Sequence, residues 1–264
     1  MAEIDLVSRI DSFVAIGDSF TEGLDDPAPG GGFRGWADRV AAAISGTDPE
    51  FRYANLAVRG KLLTQVIAEQ VPRAADLAPD LVSVAAGGND ILRGADVDVL
   101  AARFADGVDA LRAAGCRVLM FTGFDPRVFP VIRLLRGRVA AYDMHLRAIA
   151  DSRGCDLVDL WSMRALSDMR CWSPDRLHLN AEGHRRVALR ACEILGLPVT
   201  EDWRAPLPAV TGADSLPRRA VWLAARRQDV RWARTYAVPW LNRRLRGTSS
   251  GDGLLPKRPD LLPV

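Results

Sequence analysis

Short apolar runs alternate along this chain with longer segments of helical period. That alternation limits the possible folds more than any other feature. Five runs read as strands: 13–16, 52–57, 81–86, 117–122 and 156–160. Several are apolar throughout rather than alternating, as expected for parallel strands covered on both faces. The segments between them carry apolar residues at helical spacing. Trp36, Val40, Ala43 and Ile44 share one face, and Leu63, Val66, Ile67, Gln70 and Val71 share another. Val99, Leu100, Phe104, Val108 and Leu111 form a third, followed by the helix stop Ala114-Gly115. Val139, Tyr142, His145, Leu146 and Ile149 form a fourth, stopped near Gly154. A fifth helix is expected from about Ala181 to Leu195, closed by Gly196 and Pro198. Strands alternating with helices imply an α/β sandwich around a parallel sheet. For five strands the expected order is the flavodoxin-like 2-1-3-4-5.

Composition adds bounds to this. The chain has 264 residues, 48% hydrophobic and 26% charged, which suits one large soluble globular unit with an extension. The net charge of +2 hides an asymmetry. From Pro198 onward 12 Lys/Arg face 6 Asp/Glu, whereas the preceding 197 residues carry 23 against 27. The basic excess therefore marks the tail and says nothing about a substrate of the main unit. No apolar run reaches the length of a membrane span. The acidic start Met1-Ala2-Glu3-Ile4-Asp5 lacks the features of a signal peptide, so a cytoplasmic location is the default expectation. The cysteines Cys116, Cys155, Cys171 and Cys192 form no C-x-x-C pair and read as free, buried thiols rather than metal or redox ligands.

Two units are expected: residues 1–197 as the α/β body and 198–264 as a basic, Arg/Trp-rich extension. Within the extension, residues 218–246 mix Trp222, Leu223, Val230, Trp232, Tyr236, Trp240 and Leu241 with many arginines. The pattern is that of a basic amphipathic helix broken near Pro239. It suits docking on the body, a partner subunit, or peripheral contact with an anionic membrane; nucleic acid is the less favoured partner. Residues 247–264 are expected to be loosely ordered. In the body, residues 124–137 follow the fourth strand and combine Pro126 and Pro130 with Val131, Ile132, Leu134 and Leu135. They read as a wall or lid over a pocket, or as a simple surface turn.

Chemistry-bearing residues gather after the strands. Ser19 lies in Gly17-Asp18-Ser19 where the first strand gives way to a helix, a natural place for a nucleophile at the carboxyl edge of an open sheet. Such a serine needs a base, normally histidine, and the chain has three. His145 sits mid-helix as filler, and His184 supports the start of the last helix. His178 lies on the loop after the fifth strand. Asp175, three residues before it, can reach the ring on a turn, although Asp is also a good capping residue. Gly87-Gly88-Asn89-Asp90 follows the third strand, where the Asn89 side chain can face a carbonyl oxygen. Gly60, after the second strand, can present a bare N–H. Asp18 reads as a brace for its own turn. Singly, each block is an ordinary turn signal; jointly they fall at one edge of one sheet.

On these blocks the chain resembles the SGNH hydrolases, also called the GDSL esterase/lipase family. The resemblance rests on Gly17-Asp18-Ser19, Asn55 with Gly60, Gly87-x-Asn89-Asp90, and Asp175-x-x-His178 with Gly183-His184. It runs from residue 13 to about 195. It implies a flavodoxin-like three-layer α/β/α sandwich with a five-stranded parallel sheet, here followed by a helical extension. It also implies a serine ester hydrolase with Ser19 as nucleophile, His178 as base and Asp175 as its orienter. The oxyanion hole would be the N–H groups of Ser19 and Gly60 with the Asn89 side chain. No metal or organic cofactor is implied. The expected partner is a small-molecule ester, lipid or acetylated sugar. Acyltransferase and thioesterase activities at the same site are alternatives, as is an interaction protein whose basic tail carries the function. The sequence leaves acyl length, leaving alcohol and oligomeric state open.

Overall fold

The computed structural model describes residues 9–129, 131–208, 229–239, 242, 246 and 248–264. Strand β1 (Ser12–Gly17) leads into a one-turn helix α1 (Ser19–Glu22), followed by α2 (Gly35–Ser45). Then come β2 (Arg52–Asn55), α3 (Leu63–Gln65), a π turn (Val66–Gln70), α4 (Val71–Leu77) and β3 (Leu81–Ala85). Helices α5 (Gly88–Leu92) and α6 (Val97–Ala113) precede β4 (Arg117–Phe121). Two 3₁₀ turns, Pro126–Val128 and Ile132–Leu135, run into α7 (Arg136–Arg153), β5 (Asp156–Val158) and α8 (Ala181–Leu195). A last strand, β6 (Arg258–Pro263), lies near the carboxyl terminus.

The sheet has six strands in the order β5-β4-β3-β1-β2-β6. Strands β1 to β5 pair in parallel in the expected 2-1-3-4-5 order. The sixth strand corrects the expected count of five and the expected loose end. β6 pairs antiparallel with β2, with Tyr53 opposite Leu262 and a register shift between Tyr53 and Asn55. Arg258 and Pro259 open this strand, and proline is tolerated only at an edge, which is where β6 lies.

Strand alternation sorts the core into two layers. Phe13 and Ala15 face α2 and α8, packing with Trp36, Val40, Ile44, Val187, Ala191 and Leu195. Val14 and Ile16 face the opposite layer, packing with Leu63, Val66, Phe104, Leu111 and Tyr142. Two residues assigned to helix faces lie outward instead: Ala43 is exposed, as is Val99. The π turn immediately precedes α4, which carries Pro72 in its first turn. Proline supplies no N–H to the ladder, so the regular i to i−4 pattern cannot continue through it.

The extension packs on the body where it is described. Val199 and Leu207 join the α2/α8 layer, and Trp203 is buried in it. The buried Arg186 of α8 donates to the carbonyls of Trp203 (2.6 Å) and Ala205 (2.7 Å) and to Glu182 (2.7 Å). Residues 229–239 are helical, with a π turn over Ala233–Ala237. Asn242 and Arg246 apart, the rest of the amphipathic segment, including Trp222, Leu223, Trp240 and Leu241, lies outside the described residues. All four cysteines are free; Cys116, Cys171 and Cys192 are buried and Cys155 is half-buried. Among the described residues no helix is long and apolar enough to cross a membrane.

Phe104 on α6 meets Tyr142 of α7 edge-on, with ring centroids 6.3 Å apart, and is almost fully buried. Phe104→Ala is expected to lower stability by about 3–5 kcal/mol, measured by urea unfolding. A loss below about 1 kcal/mol would contradict this packing.

Candidate active site

The site begins where β1 stops. Gly17 has φ of 147°, and a Cβ there would overlap the Ala85 carbonyl oxygen and lie 2.8 Å from Thr21 Oγ1. Gln70 of the π turn holds both backbone groups of this glycine. The Gly17 N–H donates to Gln70 Oε1 (2.7 Å), and Gln70 Nε2 donates to the Gly17 carbonyl (3.0 Å). Asp18 then caps α1, its Oδ1 accepting the Phe20 N–H at 3.1 Å. Ser19 is the first residue of that helix.

His178 arrives from the loop between β5 and α8. This loop is closed by a bridge between Trp172 and Leu179 and by the Ser173 N–H donating to the His178 carbonyl (2.9 Å). Asn180 caps α8 by accepting the N–H groups of Glu182 and Gly183. Gly183 is needed in that first turn, because a Cβ would overlap the Cys171 carbonyl. The loop sets His178 Nε2 3.0 Å from Ser19 Oγ and His178 Nδ1 2.5 Å from Asp175 Oδ2. Asp175 Oδ1 also accepts from Ser173 Oγ (2.5 Å) and from the N–H groups of Leu177 (2.9 Å) and His178 (3.0 Å).

Burial alone would raise the Asp175 carboxyl. The hydrogen bond and charge of His178, with Ser173 and the loop amides, outweigh it and hold the group well below the usual carboxylate range. An ionised carboxylate only accepts, so His178 Nδ1 carries the proton and Nε2 accepts from the Ser19 hydroxyl. Three side chains from segments as much as 159 residues apart in sequence thus form one continuous hydrogen-bonded chain.

The other residues singled out from the sequence fall around it. Asn89, on α5, presents an amide already engaged on both sides: Nδ2 donates to Asp18 Oδ2 (3.1 Å) and to the Lys61 carbonyl (3.0 Å). Gly60, with φ of 75°, is set in the loop after β2, and its Cα faces Ser249 of the extension. Ser19 and Asn89 line the site cavity; Gly60 is not among its lining residues. Asn55 ties β2 to α1, donating to the Thr21 carbonyl (2.9 Å) and to Tyr53 Oη (2.9 Å). His184 serves the scaffold. Its Nδ1 accepts the Trp36 N–H (3.2 Å), its Nε2 lies 3.3 Å from the Leu24 carbonyl, and burial lowers its pKa to about 4. His145 pairs with Asp98 on the surface (2.8 Å).

Several supporting residues, Asp90 of the Gly87-x-Asn89-Asp90 block apart, carried no sequence signal of their own. Besides Gln70, Glu22 accepts the Arg59 N–H (2.7 Å) and pairs with its guanidinium, fixing the loop that holds Gly60. Asp90 accepts the Leu63 N–H (2.9 Å) at the start of α3. Asp25 Oδ2 lies 4.0 Å from His178 Nδ1. With Asp175 it gives three ligand-type atoms within 4.8 Å of one another, but both ring nitrogens of His178 are engaged in the chain just described.

A cavity of about 210 Å³ opens at Ser19 and His178. Its lining is largely apolar and includes Phe121, Ile132, Leu135, Val139, Leu146 and Leu160. The 124–137 segment supplies Phe124, Pro126, Ile132 and Leu135, and so forms one wall of it. Phe124 is itself packed against Trp172, with ring centroids 4.4 Å apart.

The profile of the GDSL-like Lipase/Acylhydrolase family matches residues 15–186. No curated protein matches the chain. Solved structures of the same fold include TesA, with a TM-score of 0.60 and 21% identity over 70% of this chain and 97% of that one. Axe2, an acetylxylan esterase from Geobacillus stearothermophilus, has a TM-score of 0.59 and 20% identity over 73% of this chain and 95% of its own. LAE5, an alpha/beta hydrolase enzyme from the metagenome of Lake Arreo, Spain, has a TM-score of 0.56 and 23% identity over 70% and 95%.

Asp18 beside Ser19 gives a pH prediction. Burial raises its pKa from 3.8 to about 6, against the opposing pull of the Phe20 N–H and His178. The folded state therefore holds a proton that the unfolded chain releases. The resulting stability is fully present below about pH 4 and is lost as pH rises through about 6. A shift of this size amounts to about 3 kcal/mol. Relative to Asp18→Asn, the wild type is expected to lose stability of that order between about pH 4 and pH 7 in urea titrations. A difference that stays flat with pH would contradict the burial argument.

Proposed function

The chain belongs to the GDSL-like lipase/acylhydrolase family and is a carboxylic ester hydrolase, and from that premise we propose that it cleaves esters of an acyl chain several carbons long through an acyl-enzyme on Ser19. The carrying observation is the Ser19–His178–Asp175 chain set at the mouth of an apolar cavity.

In this reading Ser19 Oγ attacks the ester carbonyl while His178 Nε2 takes its proton. Asp175, already bonded to Nδ1–H, keeps the tautomer and stabilises the imidazolium that forms. Negative charge develops on the carbonyl oxygen. The donors proposed for it are the N–H groups of Ser19 and Gly60 and the Asn89 amide. The Ser19 N–H belongs to the first helical turn, which lacks an intrahelical acceptor. Asn89 must share a hydrogen now held by Asp18 or Lys61. The imidazolium then gives its proton to the leaving alcohol. Water, deprotonated by the same nitrogen, attacks the acyl-enzyme and restores Ser19.

The cavity supports the substrate class. Each methylene taken from water into an apolar site is worth about 0.8 kcal/mol, so a longer acyl chain gains where acetate cannot. An acetyl group of a sugar ester would leave most of this lining uncovered. Thioesterase and acyltransferase reactions share the steps up to the acyl-enzyme and differ only in leaving group or final acceptor.

Two experiments follow. Ser19→Ala is expected to abolish turnover of p-nitrophenyl octanoate and labelling by a fluorophosphonate, and Asn89→Ala to lower kcat about 100- to 1000-fold with the fold intact by circular dichroism. Turnover that survives Ser19→Ala would sink the mechanism. Val139 faces the cavity beside Gly123. Val139→Phe should cut kcat/KM for octanoate over acetate by about tenfold or more. A wild type that prefers acetate would rule out the acyl-chain assignment while leaving the serine mechanism standing.

A further inference from the structure

The family match ends at residue 186, yet two pieces of chain beyond it touch the loops that carry the site. The first is a turn at 249–254. Its Ser249 N–H donates to Asp252 Oδ2 (2.7 Å), the Gly251 N–H to Ser249 Oγ (3.2 Å) and the Leu254 N–H to the Gly251 carbonyl (3.1 Å). This closed turn lies directly on the loop after β2. A Cβ on Gly251 would overlap the Arg59 carbonyl oxygen, and a Cβ on Gly60 would overlap Ser249 Oγ. Gly251 is therefore required by the backbone of the other segment, whereas Gly60 faces a side-chain hydroxyl. Just beyond the turn, Lys257 Nζ donates to the carbonyls of Glu22 (2.6 Å), Phe33 (3.0 Å) and Arg34 (3.0 Å) and pairs with Asp38 (2.5 Å). Glu22 in turn holds the Arg59 N–H, so Lys257, α1 and the Gly60 loop are linked in series.

The second piece is the helical stretch 229–239. Trp232 Nε1 donates to the backbone carbonyl of Asp175 (2.7 Å). Asp229 accepts from Arg176 Nη1 (2.8 Å), and the Arg176 guanidinium lies over the Trp232 ring, 5.5 Å from its centroid. Arg176 has φ of 59°, a left-handed conformation that costs a residue with a Cβ and persists where surrounding contacts fix it. It sits between Asp175 and His178, so the angle of that turn sets where the imidazole points.

We propose that the carboxyl-terminal extension is a two-armed clamp that positions the reacting groups from opposite sides. The 249–257 arm sets the Gly60 N–H, and the 229–232 arm sets the Asp175–His178 turn. Gly251, Lys257 and Trp232 are positioning residues; none lines the site cavity. The inference rests on the serine-esterase reading and deepens it, because the matched family region alone would leave both loops without these contacts. Misplacement of reacting groups by about 1 Å costs on the order of 100-fold in rate. The effect falls on the transition state; of the cavity-lining residues only Leu177 and His178 belong to the turn that the clamp sets, so acyl-chain binding changes little.

The test uses the full-length chain and p-nitrophenyl octanoate, with Ser19→Ala as the control. Trp232→Phe removes one N–H donor and keeps an aromatic ring under Arg176; Gly251→Ala pushes the other arm against Arg59. Each is expected to lower kcat roughly 10- to 100-fold with KM within about twofold, the Tm little moved in Trp232→Phe and lowered in Gly251→Ala. A kcat equal to wild type in Trp232→Phe, or a fall in Tm with kcat unchanged, would overturn the clamp. Should Gly251→Ala fail to fold, Trp232→Phe decides the matter. A wild type without Ser19-dependent turnover would remove the esterase reading itself, an outcome distinct from active variants that ignore the clamp.

Discussion

The site depends on where β1 ends and how tightly that end is held. Gly17 lies between the neighbouring strand and α1 with no room for a side chain, and Gln70 takes up both of its backbone hydrogen-bonding groups. A strand end fixed in this way gives the next residues one conformation. Asp18 must cap, and Ser19 must stand at the start of α1, facing the carboxyl edge of the sheet. β1 is also central, with β2 on one side and β3 on the other. The loops after those two strands therefore leave the same edge of the sheet, and the one after β3 brings Asn89 onto Asp18 beside Ser19. His178 comes from farther along the sheet and needs its own closed loop to reach it.

Burying polar groups here has a cost, and the site meets it with partners. Asp175 is part-buried yet ionised because four donors converge on it. Asp18 has fewer donors, and burial wins, raising its pKa to about 6. Two carboxyl groups close to one serine are thus driven in opposite directions by their surroundings. Asp143 on α7 follows the Asp18 pattern: burial raises it to about 7, while Oδ1 accepts the Gly123 N–H (2.6 Å).

Much of this was legible in the sequence, and what was missed has physical causes. The five parallel strands follow from apolar runs and alternation, and all are present within a few residues of the expected bounds; their order, which periodicity does not carry, is the flavodoxin-like one expected for five strands. The residues of the Ser19–His178–Asp175 chain could be selected because each falls after a strand. Gln70 could not, since its pairing with Gly17 spans 53 residues and a glutamine on a helix face carries no signal. The Glu22–Arg59 pair, 37 residues apart, was hidden for the same reason. β6 was missed because two prolines and a polar start read as a loose end; only an exposed edge beside β2 turns such a segment into a strand. Periodicity also assigned Ala43 and Val99 to buried faces, since it fixes a face only to within a residue or so at the ends of a helix.

The central claim is that an acyl group passes through Ser19. The most direct measurement is intact-protein and peptide mass spectrometry after acid quench of the enzyme turning over p-nitrophenyl octanoate. The expected result is one octanoyl group on the peptide carrying Ser19, present in the wild type and absent from Ser19→Ala. Steady turnover with no acyl group on that peptide, or with the acyl group on another residue, would contradict it.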